Sequence, residues 1–266
     1  MKRFFSTEFI FQLFALMISI IVVHGLYVGM VRPYAERDLS EQAINIQEDA
    51  EYITNRSLWI VIQDYEQESC FILMLWALAI MGYKSSNAIA DRRLIDLEIL
   101  PDDVGTKIKP DDAKKIATDL KQLPLGYKRR FLARLYLAAL DRFAFTSNIQ
   151  DVSAITNKMC ETENERMDSE LSMIRYIAWA IPSVGFIGTV RGIGEALGQA
   201  HRAVDGDISG VTQSLGTAFN STFVALLISI LIMFFLHQLQ SMQERLVFEY
   251  SQKTDEDLIN RMQYLD

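Results

Sequence analysis

Between Phe9 and Val31 the chain runs for 23 residues, FIFQLFALMISIIVVHGLYVGMV, without one Asp, Glu, Lys or Arg. A helix of ~20 apolar residues crosses the hydrocarbon of a bilayer. In that medium only helices and closed barrels satisfy their own backbone polar groups, so this run dictates a fold organised around a membrane. A hydrophobic content of 50% over 266 residues would also suit soluble domains; its clustering decides otherwise. A second charge-free run, TAFNSTFVALLISILIMFFLHQL, covers Thr217–Leu239. Two segments between them are less apolar. SCFILMLWALAIMGY (Ser69–Tyr83) is 15 residues long and needs flanking turns to span, while YIAWAIPSVGFIGTVRGIGEALGQA (Tyr176–Ala200) is long enough but polar. Four transmembrane helices are predicted. The first run is too long for the apolar core of a signal peptide and is followed by RPYAERD rather than by a small-residue cleavage pattern, so it is expected to be retained.

Charge sets the expected topology. From Val31 to Cys70 the acids Glu36, Asp38, Glu41, Glu48, Asp49, Glu51, Asp64, Glu66 and Glu68 face only Arg32, Arg37 and Arg56. Lys2 and Arg3 precede the first helix, and Lys84–Arg175 is rich in Lys and Arg, including the run Lys128–Arg130. The excess of basic residues marks the cytoplasmic side, which places both termini and residues 84–175 inside and the segments 32–68 and 202–211 outside. The organisation read from this is a first membrane helix (1–31), an outer acidic helical linker (32–68), a second membrane helix (69–83), a helical cytoplasmic region (84–175), a pair of membrane helices (176–240) and a cytoplasmic C-terminal helix (241–266). The fold class is an all-α polytopic membrane protein. Cys70 and Cys160 fall in different compartments, which rules out a disulfide between them.

The third membrane helix is unusual in carrying Gly185, Gly188, Gly192, Gly194 and Gly198 beside Thr189, Arg191 and Glu195. At 100° per residue, Ala178, Pro182, Gly185, Thr189, Gly192 and Ala196 share one face. In lipid, where bulk apolarity drives no association, small residues let helices approach closely, and both Gly188-xxx-Gly192 and Gly194-xxx-Gly198 have that spacing. Pro182 lacks an N–H and frees a carbonyl one turn back. The fourth helix repeats the design with Ser214, Ala218, Thr222, Ala225 and Ser229 in a stripe. Two faces, each with one central threonine, can line a hydrated surface. The plainer reading is helix packing, with each hydroxyl bonded to its own i−4 carbonyl.

AIPSVGFIGTVRGIGEAL, followed about 20 residues later by LGTAFNSTFVALLISI, resembles the MotA/TolQ/ExbB proton-channel family. The family's A-P-x-x-G-h-h-G-T-V-x-G-h pattern is met by Pro182, Gly185, Gly188, Thr189, Val190 and Gly192. Its last-helix pattern is met by Ala218, Phe219, Thr222 and Leu226, with Ala225 where the family has Gly. The 37-residue acidic linker departs from the short one of flagellar members. The resemblance implies a pentamer around two copies of a one-helix MotB/TolR/ExbD-type partner whose membrane Asp loads and releases the ion. Thr189 and Thr222 would line the ion path, and Pro182, Gly185, Gly188, Gly192, Ala218, Ala225 and Ser229 would pack it. It further implies a bacterial inner membrane, with no enzymatic activity, no cofactor and H⁺ as the transported ion. Ser183, Asn220 and Ser221 leave Na⁺ open.

No Asp occurs within the four predicted helices, and Glu195 is their only acid. A proton relay normally needs a titratable group at depth, so the acid is expected from another chain. Arg191 and Glu195, four residues apart, can pair with each other or flank the ion entrance. Asp205 and Asp207 lie in the outer loop. His24, His201 and His237 are isolated, with no metal spacing, and no phosphate-binding loop or nucleophile motif occurs. Nothing points to nucleic acid, and the basic run at Lys128 suits lipid headgroups or solvent. A non-conducting oligomeric membrane scaffold is the alternative. A secondary transporter lacks support, there being neither an internal repeat nor paired broken helices.

Overall fold

A computed structural model describes residues 7–48, 57–95, 107–122, 124–128 and 130–263. Lys2, Arg3, the middle of the acidic linker, part of the cytoplasmic region and Arg129 lie outside the described residues. Of the described residues, 91% are helical and none forms a strand. The helices are α1 (Thr7–Leu26), α2 (Arg32–Glu48), α3 (Leu58–Ile62), α4 (Tyr65–Ile95), α5 (Pro110–Leu120), α6 (Leu125–Lys128), α7 (Phe131–Thr146), α8 (Ile149–Glu170), α9 (Ser172–Gly198), α10 (Ala200–Val204) and α11 (Ser209–Asp257). Among the described residues, four stretches are long and apolar enough to cross a membrane: Glu8–Asn45, Tyr65–Arg93, Ile149–Gly198 and Ser209–Arg261. The chain is an all-α polytopic membrane protein.

The described chain divides into two compact units, residues 1–82 with 173–236 and residues 83–172 with 237–266. In the first, α1 and α2 are joined without a break by a π-helical turn, Tyr27–Val31, in which the Arg32 N–H donates to the Tyr27 carbonyl. The buried positions Ala15, Ser19, Val23, Tyr27, Val31 and Ala35 recur every four residues. In an α-helix each such step overshoots a full turn by ~40°, and the wider turn gives part of that drift back, keeping the stripe on one side. Val23, Tyr27 and Val31 pack with Trp59, Ile62, Phe71, Ile72 and Leu75, and Trp76 Nε1 donates to the Gln12 carbonyl at 2.9 Å. Tyr34 stacks on Trp59 with ring centroids 5.2 Å apart. α4 begins at Tyr65, four residues ahead of Ser69, so Glu66 and Glu68 form its first turn.

The second unit is built on α7, whose Phe131, Leu132, Leu135, Tyr136, Ala139, Leu140 and Phe143 are buried with Ile116 and Leu120 of α5 and with Leu246 and Tyr250 of α11. Leu137 packs at the edge of this core. Pro110 opens α5, where Asp112 accepts the Lys109 N–H at 3.2 Å, a favourable first turn for an acid.

Candidate functional site

α9 runs unbroken through Pro182. A proline cannot bond the carbonyl four residues back, here that of Ala178. The Ser229 hydroxyl of α11 donates to that carbonyl at 3.0 Å. The group freed by the proline is thus taken by the neighbouring helix, the compensation that lets proline persist in membrane helices.

Beyond Pro182, toward the C-terminal end of α9, the two helices press backbone against backbone. A Cβ placed on Gly185 would collide with Ala225 Cβ. One on Gly192 would come within 2.8 Å of both Ala218 Cβ and the Ser214 carbonyl, and one on Gly188 within 2.6 Å of Ser221 Cβ. Glycine is required at these three positions by proximity. Gly194 and Gly198 play no such part, since a Cβ on either would meet nothing within 4 Å. The sequence reading grouped them with the packing glycines because spacing alone does not reveal where the partner helix turns away.

Thr189 and Thr222 meet across this seam and share a hydrogen bond between their hydroxyls. Thr189 Oγ1 also reaches the carbonyl of Ala218 at 3.1 Å, and Thr222 Oγ1 that of Gly185 at 3.2 Å. Thr189 is therefore no lone hydroxyl, and only part of its bonding goes to its own i−4 carbonyl, Gly185, at 3.3 Å. Both threonines are half-buried, with Phe186, Val190, Phe219 and Phe223 exposed around them. The threonine hydroxyls thus form a polar spot on an apolar surface.

The charged residues of α9 connect to α4, a membrane helix that sequence reasoning predicted but did not join to the site. Arg191 pairs with Glu195 at 3.0 Å as the spacing predicts, but its main partner is Glu66 of α4, gripped at 2.7 and 2.8 Å through Nε and Nη2. The Glu66 stem lies 3.0 Å from where a Gly188 Cβ would be. Glu195 is consequently not the only acid at this end of the helices. Glu68 is buried and bonds His24 Nδ1 at 2.7 Å and Arg32 Nη2 at 2.5 Å, so His24 is not isolated. Arg32 also lies over the Tyr65 ring, 4.6 Å from its centre. Spacing within one segment cannot show such pairs, which join residues 36 to 125 positions apart; the one available signal was a surplus of acids just before a membrane helix.

In the loop ahead of α11, Asp207 accepts the Ser209 N–H at 3.1 Å as well as the Ser209 hydroxyl. Those bonds hold its carboxyl below the usual carboxylate range, giving it a helix-capping place rather than a free one. Among the described residues no group of three or more His, Cys, Asp or Glu is arranged to hold a metal ion.

The small-residue seam, the proline and the facing threonines lie within a longer match: residues 128–252 correspond to the MotA/TolQ/ExbB proton channel family. That segment is similar to the family over just under half of the chain. The MotA/TolQ/ExbB segment takes in α7, α8, α9 and most of α11, and so includes Thr189 and Thr222 but neither Glu66 nor the first helix. No curated protein matches the chain. With four apolar spans among its described residues, the protein is a multi-pass membrane protein.

Proposed function

We propose that this chain is the ion-conducting subunit of an inner-membrane motor that turns proton-motive force into mechanical work. Five copies surround two copies of a one-helix MotB/TolR/ExbD-type partner, whose membrane Asp supplies the titratable group. The observation that carries this reading is the Thr189–Thr222 hydroxyl pair, half-exposed on a close-packed seam between α9 and the charge-free stretch Thr217–Leu239 of α11, neither of which contains an Asp. A hydroxyl pair can pass a hydrogen bond to a protonated or ionised carboxyl alike, which suits it to a site where an acid alternately loads and releases a proton. Four spans return the C-terminus to the side of the N-terminus, and the basic flank at Lys84 puts that side in the cytoplasm.

Thr189→Val and Thr222→Val keep the volume and remove the hydroxyl. In vesicles holding the chain with its partner, either change is expected to abolish proton uptake while leaving the assembly intact; undiminished uptake in both overturns the reading. Replacing the proton gradient with a sodium gradient in the same vesicles identifies the ion. The second reading, a scaffold without conductance, has one observation in its favour: the hydroxyls of Thr189, Ser221, Thr222 and Ser229 all find backbone carbonyls within the chain. Ion-tight vesicles containing the complete assembly would establish it.

A further inference from the structure

Around Arg191 one guanidinium serves three carboxylates. Its Nε and Nη2 are committed to Glu66 and its Nη1 to Glu195. Asp64, in the turn that leads into α4, is left 3.9 Å from Nη2, beyond hydrogen-bonding distance. Asp64 Oδ2 is buried and has no hydrogen-bond partner. Gln67, fully buried one helical turn on, has its amide group facing Asp64. Its Nε2 donates to the Val61 carbonyl at 3.1 Å, which fixes the amide orientation and leaves Oε1 without a donor. Two buried acceptors stand without a hydrogen in a cluster carrying one positive and three negative groups. Such a site is unfavourable while all three acids are ionised.

We propose that Asp64 is a proton-binding site of this protein. A proton on Oδ2 converts an orphan acceptor into a donor and removes one of the two surplus negative charges. Glu66 and Glu195 each already accept from Arg191, whereas Asp64 Oδ2 accepts from nothing. Burial pushes the Asp64 carboxyl above the usual carboxylate range. Arg191 and the Gln67 amide pull against this, and Glu66 and Glu195 add to it. The positive end of α4 favours the anion, but Glu66 and Glu68 already occupy that first turn, and Glu68 is paired with Arg32 and hydrogen-bonded to His24. Arg191 follows Thr189 by two residues, a rise of only ~3 Å along α9, so a proton held on Asp64 sits at a depth close to that of the threonine path, on another side of the helix. That placement rests on the conduction reading; the proton-binding site does not.

The test is infrared difference spectroscopy of the full chain in phospholipid nanodiscs, following the C=O band of protonated carboxyl groups as pH is raised. The expected result is a band that persists above the ordinary carboxylate range, is lost in Asp64→Asn, and titrates at lower pH in Glu195→Gln, where one surplus charge is gone. Glu195 is half-exposed, so that variant reports even if Asp64→Asn does not fold. A band that survives in Asp64→Asn, the absence of any such band in the native chain, or a midpoint unmoved in Glu195→Gln overturns the proposal. Thr222→Val separates the two readings: it is expected to stop proton uptake and leave the Asp64 band in place. Conduction without the band defeats the Asp64 site alone, and the band without conduction defeats the channel alone.

Discussion

A single carbonyl links two residues that sequence treats separately. Pro182 leaves the Ala178 oxygen without its helical donor, and Ser229 supplies one from the next helix. Interhelical hydrogen bonds of this kind contribute about 0.6 kcal/mol on average and up to ~1.7, and an acceptor left orphaned in lipid raises the cost. Ser229→Ala is expected to destabilise the chain by about 1 kcal/mol when Pro182 is present. It should have almost no effect in a Pro182→Ala background, where the restored N–H takes the carbonyl. Unfolding in mild detergent across this double-mutant cycle measures the coupling, and two additive single effects would remove the link. Ser229 stood in the stripe read from spacing, but its function was not legible, because the partner of a freed carbonyl is decided by which helix packs there.

The seam between α9 and α11 was largely legible, and the tie between α4 and α9 was not. Spacing of small residues reports a close approach directly, since a side chain at Gly185, Gly188 or Gly192 would occupy its neighbour's volume. Charge reports a partner only when the partner is a helical turn away, which is why Glu195 was foreseen for Arg191 and Glu66 was not. Residues 32–68 were read as an outer acidic helical linker, yet Glu66 and Glu68 at its end are spent on Arg191, Arg32 and His24. Hydrogen bonds between charged groups contribute about 1.5–3 kcal/mol, and with the Arg191 side chain 37% exposed the lower part of that range applies. Glu66→Gln is expected to loosen α4 from α9 by about 1.5 kcal/mol. The double reversal Glu66→Arg with Arg191→Glu should recover part of that loss, as read by unfolding of the purified chain. Equal stability of Glu66→Gln and the native chain would show that apolar packing alone holds α4 in place.

At the scale of the whole molecule, the unit outside the core spans is closed by Tyr136, buried in α7 with its hydroxyl donating to Asp257 at 2.7 Å. Burial first, and then that bond and the Asp257 charge, raise its pKa well above the ordinary tyrosine value. The folded chain therefore keeps the proton where the unfolded chain releases it. The stability this contributes is complete below pH ~10 and is lost as pH rises beyond it. Melting followed by circular dichroism should show stability falling above pH ~10, with a shallower fall in Tyr136→Phe; identical slopes would deny Tyr136 that part. The widened turn at Tyr27–Val31 bears on how long this polypeptide has to be. Removing one residue from a regular helix rotates everything beyond it by ~100°. Here the turn holds one residue more than an α-helical turn needs, and Gly29 adjoins nothing that a side chain would touch. A 265-residue version without Gly29 should consequently remain in phase, Arg32 still finding Glu68, whereas the same excision at Ile20 would swing the arginine away. The first membrane helix thus tolerates shortening at one place along its length, and the thermal stabilities of the two deletions will show whether that place is Gly29.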